Sequence, residues 1–199
     1  MKSKQFLVFL VLSAAVILIS SCSDASSDAG DAWRTFENQQ YGYSFTYPPD
    51  CTYGPLPINC KSSPPEERPA ECLCFLNSEN PDRVLMQKYQ SDGDQLVLAE
   101  FSIAHLSTPA DNPPDETGLM DWLAENFPDK WEPAQAENIT IDGISAVSLS
   151  SPASEMAPAV KEIYFMHNDG LFQISMLEPD VAVNSKLYEH ILTSFHFER

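Results

Sequence analysis

The amino-acid sequence predicts an antiparallel α+β domain. Three observations carry that expectation. Most of the chain between Trp33 and Phe197 divides into short stretches of alternating apolar and polar residues, the period of a strand with one buried face. Many of these stretches are joined by Asn, Asp and Gly turns short enough to pair neighbours antiparallel. Only two segments carry apolar residues at three- and four-residue steps, too few helices for the crossovers of a parallel sheet.

Taken in order, Trp33 to Glu37 and Tyr43 to Tyr47 are aromatic-rich alternating runs joined by Asn38 to Gly42, a hairpin signal. Pro48-Pro49 ends the second, because proline has no donor for the ladder. Cys72 to Leu76 and Val84 to Tyr89 read as strands around a turn at Asn77 to Asp82. Asp92-Gly93-Asp94 turns the chain into a long strand, Gln95 to Leu106, which places Val97, Ala99, Phe101 and Ile103 on one face. After a polar, proline-rich loop, the spacing of Leu119, Trp122, Leu123 and Phe127 predicts a helix over Glu116 to Asn126, stopped by Pro128. Asn138 to Ser150 holds two strand stretches with a bend at Asp142-Gly143. Val160 to Met166 and Leu171 to Leu177 are joined by His167-Asn168-Asp169-Gly170, the strongest hairpin signal, since Asn, Asp and Gly tolerate positive φ. A helix over Val183 to Thr193 and a closing strand at Phe195-His196-Phe197 complete the domain.

The N-terminus has a different character. Lys2 and Lys4 precede the apolar run Phe6 to Ile19. As a helix that run would span about 21 Å, short of a hydrocarbon core of ~30 Å, so it reads as a cleaved export signal. Its end, Ile19-Ser20-Ser21-Cys22, resembles the lipobox of bacterial lipoproteins. That resemblance implies cleavage before Cys22, diacylglycerol on its thiol and acylation of its new amine, which together anchor the chain stably to the cell membrane or outer membrane. The competing expectations are a plain secretory signal with an incidental Cys and an uncleaved anchor. The organisation is therefore a signal peptide over residues 1–21, a flexible tether over 22–32 and one domain over 33–199. Removing 21 of the 199 residues leaves 178, and losing Lys2 and Lys4 takes the excess of acidic over basic side chains from 18 to 20. Such a charge disfavours nucleic acid and anionic headgroups as partners and helps keep the domain soluble and held off the membrane it is tethered to.

Cys51, Cys60, Cys72 and Cys74 fall close together, and an even set in an exported chain points to disulfides that staple the proline-rich segment 51–74. Two pairings remain open: nested, Cys51–Cys74 with Cys60–Cys72, which is preferred, and crossed, Cys51–Cys72 with Cys60–Cys74. Zinc is the competing reading, disfavoured by the C-x-C spacing and the lack of a nearby His. The C-x-x-C of thioredoxin-type redox sites is also missing.

At this point the residues carry a resemblance to a family. Phe36, Asn38 and the run Tyr41-Gly42-Tyr43-Ser44-Phe45-Thr46-Tyr47-Pro48 look like the opening of PsbP-like domains. Ile141-Asp142-Gly143, the hairpin through Asp169-Gly170, a helix and Ser194-Phe195-His196-Phe197 follow in that family's order. The resemblance spans nearly all of the domain and implies a central antiparallel sheet between helical layers, an α/β/α sandwich. The chain departs where the family often has a Trp after the proline, and Cys51 stands there instead.

No G-x-S-x-G, H-E-x-x-H, P-loop or G-x-G-x-x-G occurs. His105, His167, His190 and His196 are the four histidines; surface or structural roles are expected for each, with His190 on the surface of the final helix. Asp92/Asp94 and Asp115/Glu116 are expected in solvated turns, with weak calcium binding as the alternative. Asn138-Ile139-Thr140 matches a glycosylation sequon that a bacterial lipoprotein would not ordinarily use. Tyr53, Tyr89 and Trp131 are candidates for an exposed binding patch. The sequence thus leads to two expectations. One is a membrane-anchored, non-catalytic envelope lipoprotein, without a cofactor, that binds or supports another envelope protein. The alternative is a lipoprotein that binds a small ligand or a divalent cation.

Overall fold

The computed structural model describes residues 32–54, 64–69, 72–106, 118–128 and 135–198. The expected signal peptide, tether and lipid-bearing Cys22 lie outside the described residues, as do Cys60, Asp115, Glu116 and Trp131.

Strands β1 (Arg34–Asn38), β2 (Tyr43–Tyr47), β3 (Thr52–Tyr53), β4 (Cys74–Asn80), β5 (Arg83–Asp92) and β6 (Gln95–Leu106) form the first half. Helix α1 (Leu119–Asn126) precedes β7 (Ala136–Ile141), β8 (Ile144–Ser151), β9 (Val160–His167) and β10 (Gly170–Leu177). Helix α2 (Ala182–Thr193) and β11 (His196–Phe197) close the chain. The expected strand at Cys72 begins instead at Cys74.

The strands divide between two sheets. Eight lie in the order β3-β4-β5-β6-β10-β9-β8-β7, and three in the order β1-β2-β11. All pairings are antiparallel except β3 with β4. Tight turns set the registers. Asn168 and Asp169 both adopt positive φ, +47° and +62°, between the paired His167 and Gly170. Asp142 and Gly143 do the same between Ile141 and Ile144. This is the backbone that matches the right-handed twist of the strands it joins.

One face of the large sheet packs Ala99, Phe101, Ile103, Phe165 and Ile174 against Phe36, Phe45 and Phe197 of the small sheet and Leu187 and Ile191 of α2. The opposite face carries Val147, Leu149, Tyr164 and Leu171, covered by Leu119, Trp122 and Leu123 of α1. Alternation along β8 and β9 therefore supplies two separate cores. The fold is sheet-rich with two helices, and on the face where α2 packs the second sheet lies beside the helix. The closing strand pairs with β2 because Phe195 and Phe197 complete the aromatic cluster around Tyr43 and Phe45.

Helix α2 is fixed by polar groups as well as by its apolar stripe. Asn184 is fully buried, and its Nδ2 donates to the carbonyls of Leu98 at 3.1 Å and Glu178 at 3.3 Å. Its Oδ1 accepts from Gln90 Nε2 at 3.1 Å. The Tyr188 hydroxyl donates to the Leu177 carbonyl at 2.6 Å, with the Glu100 carbonyl at 3.1 Å, while burial pushes its pKa upward. Both residues tie the helix to β6 and to the end of β10.

Candidate functional site

Helix α2 packs on β2, β5 and β6. On the same face, the end of the sheet formed by β7, β8 and β9 is left beside the helix rather than beneath it. The result is an open groove of about 880 Å³, within the range of ~300–1,000 Å³ typical of ligand sites. Val160 and Met176 bring apolar surface from the sheet, Tyr188 and Leu192 line it from the helix, and Ser150 and Thr193 add hydroxyls. Lys161 of β9 reaches across β8 to Glu137 of β7, Nζ to Oε1 3.3 Å. Asp180 and Glu189 also line the groove, so its charged groups are mostly acidic. Ser148 shares the inward face of β8 with Ser150. It is fully buried, and its Oγ has no hydrogen-bond partner.

The loop from β8 to β9 borders this groove through Pro152 and Ala159. It is a closed turn in which Ser154 N–H donates to Ala157 O at 2.8 Å. The Ser154 hydroxyl accepts from the backbone N–H groups of Met156 and Ala157 at 3.3 and 3.1 Å. The turn holds Met156 at 96% exposure.

The opposite ends of these strands gather three of the four histidines. Tyr41, from the β1–β2 turn, stacks on His105 with ring centroids 4.7 Å apart. Its hydroxyl lies 3.2 Å from His105 Nδ1 and donates to the Asp82 carboxylate, an acceptor that holds the phenol pKa above its usual value. His196 Nδ1 lies 3.2 Å from Asp142 Oδ2, which also accepts from Phe197 N–H at 2.9 Å. The His167 ring centroid is 4.6 Å from that of Phe197. Burial lowers the His167 pKa, partly opposed by the carbonyls of Gly42 and Tyr41. Each contact joins a turn or strand end to another, so these groups act as latches between hairpins. His190 stands apart: its ring stacks on Trp33 at 3.5 Å and meets Thr46 Oγ1 at 3.1 Å, a packed position rather than the open helix surface expected from sequence.

The remaining sequence candidates do not converge. Cys51 and Cys74 form a disulfide with Cα atoms 4.4 Å apart, the outer bond of the nested arrangement. Cys72 is also disulfide-bonded, to a partner outside the described residues. Asp50 lies with Cys51 and Cys74 in the one metal-type cluster among the described residues, but sulfurs bonded to each other offer no thiolate. Asp92 and Asp94 occupy an exposed hairpin tip. Tyr53 is 57% exposed and its hydroxyl meets Ser78, whereas Tyr89 lies beneath the Arg68 guanidinium. Asn138 lies within β7.

Two solved structures resemble the chain at a distance. It is similar to the solution structure of cyanobacterial PsbP from Synechocystis sp. PCC 6803, with a TM-score of 0.47 and 15% identity over 90% of this chain and 99% of that one. It is also similar to a crystal structure from Bacteroides thetaiotaomicron VPI-5482, with a TM-score of 0.45 and 14% identity over 83% of this chain. The chain spans about half of that second protein, 48% of its length. No protein-family model and no curated protein matches the sequence.

Proposed function

We propose that the chain is an exported lipoprotein, anchored through Cys22, whose PsbP-like domain binds another envelope protein without catalysing a reaction. In this reading α1 and α2 are the helical layers on the two faces of the large sheet, and the small sheet shares one face with α2. The groove between α2 and β7–β9 is the binding surface. The observation that carries the reading is Met156, a large apolar side chain at 96% exposure on an ordered turn bordering the groove. An apolar group outside the concavity adds nothing to a ligand enclosed within it, whereas a macromolecule covering the groove would also cover Met156.

A photoreactive residue at position 156, in the anchored chain on intact cells, tests this. The expected product is a crosslink to one defined protein, absent when the probe is placed at Asp169, in the β9–β10 turn at the other end of the sheet. Equal, non-selective crosslinking from both positions refutes the reading. The groove volume favours one alternative, a small ligand or divalent cation. That alternative predicts a rise in melting temperature with the ligand alone, because binding to the native state stabilises it.

A further inference from the structure

A second hollow, of about 380 Å³, lies where the domain begins, lined by Trp33, Pro48, Pro49, Lys88, Lys186 and Leu187. It concentrates scarce positive charge. The described basic side chains are Arg34, Arg68, Arg83, Lys88, Lys161 and Lys186. Lys88 and Lys186 line the hollow, and Arg34 stands beside it with its guanidinium on the Cys51 carbonyl at 3.5 Å. Lys88 is neutralised by Asp50, Nζ to carboxylate 2.6 Å, so Arg34 and the exposed Lys186 supply the local excess. Trp33 is held in place by its stack on His190.

A tryptophan ring beside exposed Lys and Arg is the composition of a membrane–water interface, where the ring sits among headgroups and the cations reach phosphates. Position in the chain agrees. Trp33 lies at the start of the domain, and the eleven steps from Cys22 to Trp33 span at most about 40 Å when extended. Over the rest of its surface the processed chain's excess of 20 negative charges opposes contact with anionic lipid.

We infer that this hollow, with Trp33 and Lys186 in its lining and Arg34 beside it, seats phospholipid headgroups of the membrane to which the chain is tethered. The inference rests on the lipid-anchor reading. It is tested with the acylated full chain reconstituted into phosphatidylethanolamine–phosphatidylglycerol vesicles, with or without bromine on the acyl chains near the headgroup. Bromine quenches tryptophan emission on contact. The expected result is quenching that disappears in Trp33→Phe and survives in Trp131→Phe. Lys186→Glu, an exposed helix position, weakens the quenching, as does high salt. Emission that is the same in brominated and plain vesicles overturns the inference, and so does quenching that persists in Trp33→Phe. The mass of the N-terminal peptide separates the two levels. An unmodified Cys22 refutes the anchor and the headgroup seat together, whereas a lipidated but unquenched chain refutes the seat alone.

Discussion

Replacing Asn184 by Ala removes the polar clamp that seats α2. The variant loses three hydrogen bonds and leaves the carbonyls of Leu98 and Glu178 without that donor, and Gln90 Nε2 without that acceptor, at a fully buried position. At about 1 kcal/mol for each bond, the expected loss is ~3 kcal/mol, the upper part of the usual range because buried groups are left unmatched. For a domain of this size that lowers the melting temperature by about 6–12 °C. Urea unfolding followed by tryptophan emission and circular dichroism measures the loss as a fall in midpoint at constant slope. Ser185→Ala, the exposed neighbour whose hydroxyl bonds only within its own helix turn, serves as the control and stays within about 0.5 kcal/mol of the parent. Because α2 is one wall of the groove, crosslinking from position 156 falls in parallel. A loss below about 1 kcal/mol refutes the argument that the amide clamp, rather than the apolar stripe of Leu187 and Ile191, sets the seat of α2.

Ser148→Ala removes a buried hydroxyl with no partner, so it raises the stability by up to ~1 kcal/mol, read as a higher urea midpoint, and a fall of that size contradicts the assignment. Cys51→Ser with Cys74→Ser opens a link across 23 residues and costs up to about 3 kcal/mol by loop entropy, read as a lower urea midpoint than that of the oxidised parent. Burial lowers the His167 pKa in the folded state, so the unfolded chain binds the proton more readily. The contribution is present above the unfolded value of about 6.5 and is lost as pH falls from there through the folded pKa. Denaturation between pH 7.5 and 5.5 therefore shows a decline that His167→Gln flattens, and an unchanged slope in that variant counts against the burial of His167. Tyr43→Phe leaves Asn38 Nδ2 its bond to the Pro81 carbonyl at 3.0 Å but removes the one to the Tyr43 hydroxyl at 3.1 Å. The absorbance transition that the buried phenol shows at about pH 12 disappears with it, provided the native fold persists to that pH.

Local chemistry made much of the fold legible. The bounds of β2 and β6 coincide with their alternating runs, and the Asn168-Asp169 turn adopts the positive φ those residues tolerate. Thr52–Tyr53 was not legible, because a two-residue strand has no period to read and its parallel partner β4 lies beyond the loop. Nor was the division into two sheets, since period 2 shows that Phe195 and Phe197 share a face but not which strand they join. The groove combines Glu137, Ser150, Lys161, Met176 and Leu192, which no spacing rule relates. Met156 carries a weak signal, a lone apolar residue in the small and polar loop Pro152–Ala159. His190 was misread because its packing partner, Trp33, lies at the far end of the chain.

The small sheet also governs when the domain can finish folding. Tyr43 pairs with Phe197, and Phe45 stacks on Phe195, so the first hairpin of the domain waits for the last residues of the chain. A polypeptide delivered N-terminus first exposes that aromatic hairpin throughout its synthesis or passage. The main core closes only after residue 197 emerges. Removing the final few residues is therefore far more damaging than their number suggests.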